Sequence, residues 1–253
     1  MKEKQLFGRL GNKTTDIKYF KEYLPLECKN IVEPFGGTFA VIKNIYSDQK
    51  YKKYVNDNDE TLYKIYCNPL EYTKLIIEVN NLAKNNLFDN GNVNYKEFIK
   101  EFNKLKYDDD LKDFYKKEKI VRGTLVKYLK SNIIFDKQIE FMKTINFSSI
   151  DYLECINKHV KNNDTFIFLD PPYLFSDNSN YSKQARKDGE DMTNMLYEIL
   201  EVFQSKKTKA KIMMIINDMK IIRWMFGKYI KGDYNKIYQL GKRKAKHLII
   251  CNY

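Results

Sequence analysis

Residues 165–169, Thr-Phe-Ile-Phe-Leu, run directly into Asp170-Pro171-Pro172-Tyr173. This junction constrains the fold more than any other segment of the chain. An almost wholly apolar run of this length suits a strand covered on both faces, not one with a solvated side. Proline has no N–H and a fixed φ, so two in succession end the ladder and start a rigid turn. The chain therefore needs a sheet with helices on both faces and a stiff polar turn at one strand's carboxyl end.

The rest of the sequence supplies such a sheet. Asn30–Glu33 reads as a strand stopping at Pro34-Phe35-Gly36-Gly37, and 38–47 reads as a helix with Phe39, Val41, Ile42 and Ile45 apolar. Tyr51–Val55 reads as a second strand ending in Asn56-Asp57-Asn58-Asp59, followed by a helix using Leu62, Ile65 and Tyr66. Strand, helix, strand is a βαβ unit. Further on, Met192, Met195, Leu196, Ile199, Leu200 and Phe203 mark an amphipathic helix over 191–205, and Ile212–Ile216 a buried strand ending at Asn217-Asp218. Lys236–Leu240 and His247–Asn252 read as closing strands, and 15–24 as a helix. The fold class is α/β. Residues 70–145 differ: Leu75, Ile76, Val79 and Leu82 recur at helical spacing among charged residues and Asn, without a strong strand. The expected organisation is one domain over 1–69 and 146–253 with a mostly helical insert over 70–145.

Ligands of such sheets sit beyond the carboxyl ends of the strands. Glu33, Asp57, Asp170 and Asn217-Asp218 all fall there. In Asp170-Pro171-Pro172-Tyr173, the rigid turn would fix Asp170 and the Pro171 carbonyl as acceptors. Acceptors aimed at the N–H groups of a ring-conjugated amine favour the pyramidal nitrogen that can attack a methyl sulfonium. Tyr173 offers a flat face to an extruded base. The plainer alternative is a strand-ending turn with a buried tyrosine. Glu33-Pro34-Phe35-Gly36-Gly37-Thr38 allows close backbone approach to a ligand, although an ordinary strand-to-helix turn has the same composition. Asp57 follows Glu33 by 24 positions, where an acid can accept both hydroxyls of a ribose, or simply lie exposed in a turn.

Charge narrows the partners. Lys plus Arg is 45 against 33 Asp plus Glu, a net charge of +12, which favours a polyanion. Cys28, Cys67, Cys155 and Cys251 are spread apart and only His159 and His247 are present, so a structural zinc site is not expected. No apolar stretch approaches the roughly 18 residues of a membrane span, and no apolar signal region follows Lys2 and Lys4. An intracellular protein without a membrane is the expectation.

With these clusters in order, the chain resembles the Dam-like adenine-specific DNA methyltransferases over residues 7–66 and 145–253. Gly11-Asn12-Lys13 resembles that family's Gly-x-Lys segment, Ile31–Val41 its cofactor motif, and Val55-Asn56-Asp57-Asn58 with Tyr66 its second acidic motif. Ser149-Ile150-Asp151-Tyr152 stands where the family has an Asp-Phe pair, and Asn252-Tyr253 matches its closing strand. The resemblance implies a Rossmann-like class I methyltransferase sheet with a target-recognition insert, and transfer of a methyl group from S-adenosylmethionine, without metal, to N6 of adenine in double-stranded DNA. N4 of cytosine, RNA, or a degenerate non-catalytic nucleic-acid-binding homologue are the alternatives. It implies a cofactor site of Arg9, Lys13, Glu33, Pro34, Phe35, Gly36, Gly37, Thr38, Asp57 and Asp170. It also implies target handling by Asp170, Pro171, Pro172 and Tyr173. Two positions depart from the pattern: Phe39 replaces the turn's second glycine, where it would narrow the pocket or pack beneath it, and Arg9 replaces an aromatic. DNA contacts are expected from Arg122 and Lys127 in the Lys-rich insert, against the alternative of a solvated face. Tyr181 and Lys183 are expected to add contacts from a polar loop over 176–190. A monomer and a cognate restriction nuclease are compatible with this reading.

Overall fold

The computed structural model describes residues 13–86, 88–89, 92–93, 95–121, 124–125, 136–173, 189–237 and 244–253. Among these the helices are α1 (Ile17–Phe20), α2 (Ala40–Ile45), α3 (Glu60–Cys67), α4 (Pro69–Asn86), α5 (Tyr95–Asn103), α6 (Asp109–Lys119), α7 (Asp136–Met142), α8 (Tyr152–His159), α9 (Gly189–Gln204) and α10 (Lys220–Phe226). The strands are β1 (Asn30–Glu33), β2 (Lys52–Asn56), β3 (Phe88–Asp89), β4 (Asn92–Val93), β5 (Ile120–Val121), β6 (Thr124–Leu125), β7 (Ile145–Ser148), β8 (Thr165–Leu169), β9 (Lys211–Asn217), β10 (Ile230–Ile237) and β11 (Lys244–Cys251). The chain divides into two compact units, with boundaries at 63/64 and 143/144.

The larger unit is built on a seven-stranded sheet of order β10-β11-β9-β8-β1-β2-β7. β7, β2, β1, β8 and β9 run parallel, and β11 lies antiparallel between β9 and β10. From β1 the chain builds outward through β2 to β7, and α8 then returns it to β8 on the other side of β1. The order reverses between β1 and β8, the place where a doubly wound sheet opens a crevice at its carboxyl edge. β7, which completes the sheet beside β2, escapes detection in the sequence because Ile145-Asn146-Phe147-Ser148 is short and only partly buried.

Each central strand buries alternate residues on opposite faces. Val32, Ile167, Leu169, Ile212, Met214, Ile216, Leu248 and Ile250 pack with α8, α9 and α10. Ile31, Phe166, Phe168, Met213 and Ile249 are equally buried and face the other way, where Phe20 of α1 stacks on Phe168 at 5.6 Å and Tyr46 lies 5.8 Å from Phe166. Covering both faces is what the apolar β8 run demanded. Local signals set the helix starts. Asp151 accepts the N–H of Leu153 at 2.8 Å and caps α8. Asp59 accepts the N–H groups of Thr61 and Leu62 and caps α3. At the far edge Asn252 closes β11 onto β9, its carboxamide accepting from Ile212 N–H and donating to the Ala210 carbonyl.

The smaller unit spans 64–143 among the described residues. It is mostly helical, with two short antiparallel pairs, β3–β4 and β5–β6. Its core is aromatic: Phe102 stacks on Tyr115 at 5.6 Å, and Tyr72 meets Phe114 edge-on at 5.6 Å. The two-residue strands carry no period for a sequence reading to detect. No described helix is long and apolar enough to cross a membrane.

Candidate active site

Asp170 leaves the carboxyl end of β8, a strand buried at all five positions. Pro171 is buried, and Pro172 and Tyr173 are half-buried. Burial pushes the Asp170 carboxyl above the ordinary aspartate range, and the ammonium of Lys13 opposes that rise. Lys13 Nζ donates to Asp170 Oδ1 at 2.5 Å, with the lysine side chain 3% exposed and the aspartate 24%. The same ammonium stands 5.3 Å from the centre of the Tyr173 ring. Lys13, expected at the cofactor together with Asp170, is tied to the acid of the Pro-Pro turn.

A second set of groups lies behind this pair. Asp16, buried three residues after Lys13, accepts from Lys236 Nζ at 2.7 Å and from the Tyr234 hydroxyl at 3.3 Å. Its own N–H donates to the Lys13 carbonyl at 2.8 Å, closing the turn that aims Lys13. Tyr173 rests against His247 at 5.5 Å, His247 stacks on Tyr234 at 5.2 Å, and Tyr234 stacks on Tyr19 at 4.9 Å. His247 is fully buried, and burial, with Lys13 and Lys236 adding to it, holds its imidazole down at about 4. It is thus neutral at physiological pH. None of Asp16, Tyr234 or His247 stood out in the sequence. A histidine in a strand has no motif of its own, and only the β10–β11 hairpin brings it under Tyr173.

The glycine turn and Asp57 are joined by a hydrogen bond. Gly37, at φ +49, donates its N–H to Asp57 Oδ2 at 2.8 Å, and Asp59 N–H donates to Asp57 Oδ1 at 3.0 Å. A Cβ added at Gly37 would meet nothing within 4 Å among the described residues, so none of them fills the space over this turn beside the oriented, half-buried Asp57 carboxylate. Phe35 stacks on Tyr152 at 5.2 Å, and the Tyr152 hydroxyl donates to Glu198 of α9. Pro34 and Gly36 are buried, and Thr38 is half-buried in the turn.

Glu33 takes an inward role. Its carboxylate accepts the Ile42 N–H at 2.6 Å, an orphan donor in the first turn of α2. Burial pushes its carboxyl up to about 8; the α2 amides lower it, and the charge of Asp170 adds to the rise. Phe39 adopts the left-handed conformation, φ 39 and ψ 49, that glycine takes freely. Of the two expectations for this residue, the structure shows packing: the ring is 4% exposed and lies 5.9 Å from Phe147 of β7. Of Asn217-Asp218, a cluster of interest at the end of β9, Asp218 is taken up locally, since it accepts a two-pronged bond from Arg223 of α10. Arg9, Arg122, Lys127, Tyr181 and Lys183 lie outside the described residues, as does most of the 176–190 loop.

The strand order, with its one reversed strand, is that of a Rossmann-like methyltransferase, and an acid held in a Pro-Pro-Tyr turn at the switch point suits the branch of that class that modifies amines. Comparison with known proteins specifies it further. The sequence model of the D12 class N6 adenine-specific DNA methyltransferases matches residues 10–137 and 115–244, and the chain belongs to that family. It is also 24% identical to the Type II methyltransferase M.CviBI of Paramecium bursaria Chlorella virus NC1A, over 96% of this chain and 97% of that protein. The family is that of adenine-specific DNA methyltransferases, which sets aside cytosine and RNA as targets.

Proposed function

We propose that this enzyme takes its methyl group from S-adenosylmethionine, held by the Glu33–Thr38 turn and Asp57, and delivers it to an adenine turned out of duplex DNA against Tyr173. The observation that carries this reading is the convergence at one sheet edge of the Lys13–Asp170 pair, Tyr173, and the Gly37–Asp57 contact. The donor set suits the cofactor: Asp57 is oriented by two backbone amides, as an acid accepting ribose hydroxyls must be. When bound, S-adenosylmethionine supplies an electrophilic methyl group on a sulfonium.

The chain's own groups do the rest. Asp170 and the Pro171 carbonyl accept the N–H groups of the target amine, withdrawing its lone pair from the purine and turning it toward the methyl group. Lys13 fixes the Asp170 carboxylate and offsets its burial, so the acceptor is in place before substrate arrives. Tyr173, backed by His247, presents the face on which the extruded base stacks. The insert is proposed to recognise the target, with Arg122 and Lys127 supplying phosphate contacts and Tyr181 and Lys183 adding contacts beyond the Pro-Pro turn. The Type II designation of the viral relative supports a place beside a cognate restriction nuclease.

Incubation with labelled S-adenosylmethionine and mixed-sequence duplex DNA, followed by nucleoside analysis, should yield N6-methyladenine. Asp170→Ala should abolish label transfer while S-adenosylmethionine binding by calorimetry stays within about threefold. Undiminished transfer by that variant would refute the assignment of Asp170.

A further inference from the structure

Asn56, the last residue of β2, is fully buried. Its carboxamide makes four hydrogen bonds. Nδ2 donates to the Pro34 carbonyl at 3.2 Å and to the Ile150 carbonyl at 2.9 Å. Oδ1 accepts from Ser148 Oγ at 2.8 Å and from Ile150 N–H at 3.0 Å. Two donors and two acceptor positions are the whole capacity of a primary amide. The main chain adds two more ties, Gly36 N–H to the Asn56 carbonyl at 2.7 Å and Asp57 N–H to the Ser148 carbonyl at 3.2 Å.

These bonds begin where the ladder stops. The β1–β2 pairing ends at Glu33 opposite Val55, and the β2–β7 pairing at Asn56 opposite Ser148. Beyond those pairs nothing in regular sheet geometry fixes the three departing loops relative to one another. Pro34, lacking an N–H, cannot donate to a neighbouring strand. One side chain fills that gap, joining the loop after β1 (Pro34–Gly36), the loop after β7 (Ile150) and the residue that leads into Asp57.

We infer that Asn56 is a positioning residue for the cofactor, clamping the β1, β2 and β7 loops so that the Gly37 turn, Asp57 and the Phe35–Tyr152 pair are held in one arrangement before S-adenosylmethionine binds. The inference rests on the reading that these loops hold the cofactor. No other residue type of this size serves. Aspartate has the same shape but no donor, and would face the Pro34 and Ile150 carbonyls with negative charge. Serine lacks the reach and the second donor.

The test uses the full-length enzyme and steady-state kinetics with each substrate varied in turn. Asn56→Asp should raise KM for S-adenosylmethionine at least about tenfold, with KM for DNA and kcat at saturating cofactor within about twofold of the parent. Ser148→Ala removes one bond of the clamp and should raise the cofactor KM by about two- to threefold; it decides the matter if Asn56→Asp fails to fold by circular dichroism. Asp57→Ala, measured alongside, separates the two levels of the argument. If it weakens cofactor binding while folded Asn56→Asp and Ser148→Ala leave the cofactor KM unchanged, the clamp is refuted and the site stands. If it too has no effect, both fall. An equal rise in KM for DNA and for cofactor would also overturn the inference, since general loosening would then explain it.

Discussion

Lys13 Nζ lies 2.5 Å from Asp170 Oδ1, bridging 157 positions of sequence. The lysine is almost wholly buried, so the pair is a desolvated one, in which removing one partner costs far more than a surface bridge would. Lys13→Met should lower kcat/KM at least about a hundredfold, on the order of 3 kcal/mol. Lys13 holds the Asp170 carboxyl down against its burial. Its loss should therefore move the acid limb of the pH–rate profile to higher pH, and Lys13→Arg should move that limb back toward the parent. An unshifted acid limb in Lys13→Met would show that the two charges are not coupled.

Glu33 predicts a pH dependence of stability. Its folded pKa, about 8, stands above the ordinary 4.5. The folded state therefore binds the proton more tightly, and the stability this contributes is complete below about 4.5 and lost as pH rises through about 8. Glu33→Gln can still accept the Ile42 N–H while carrying no charge. It should flatten the pH dependence of Tm across that window and raise Tm relative to the parent above pH 8. A parallel pair of Tm–pH curves would contradict this.

Phe39→Gly places there the residue that takes the left-handed conformation freely, yet two effects compete. Relief of the left-handed conformation is worth roughly 1–2 kcal/mol, while loss of a buried phenylalanine costs about 3–5 kcal/mol. The packing term wins, so the variant should be less stable by roughly 2 kcal/mol, read from urea unfolding. Increased stability would mean that the contact with Phe147 contributes little.

His247 tests the support of Tyr173. A neutral, buried ring can be replaced by another flat ring, so His247→Phe should keep kcat within about threefold, whereas His247→Ala should lower it at least about tenfold with cofactor binding retained. Reduced 2-aminopurine fluorescence change at the target base in the alanine variant alone would locate the defect at base stacking. Equal kcat in the two variants would show that the ring beneath Tyr173 is immaterial.

The sequence by itself determined the α/β class and the order of the polar turns. A covered strand has to be apolar along its length, and proline and glycine punctuate the chain wherever they stand. It likewise exposed Asp170, Tyr173, Gly37 and Asp57, because the spacing of strand, turn and acid is a local property of the chain. Tertiary structure alone decided that Glu33 would cap α2, that Lys13 would meet Asp170, that His247 would lie under Tyr173, and that Asn56 would hold three loops with one amide. Except for the Glu33 contact, which lies within one strand–helix turn, each of those depends on groups brought together from different strands or loops. Such partners are fixed by sheet order and register, which no stretch of neighbouring residues encodes.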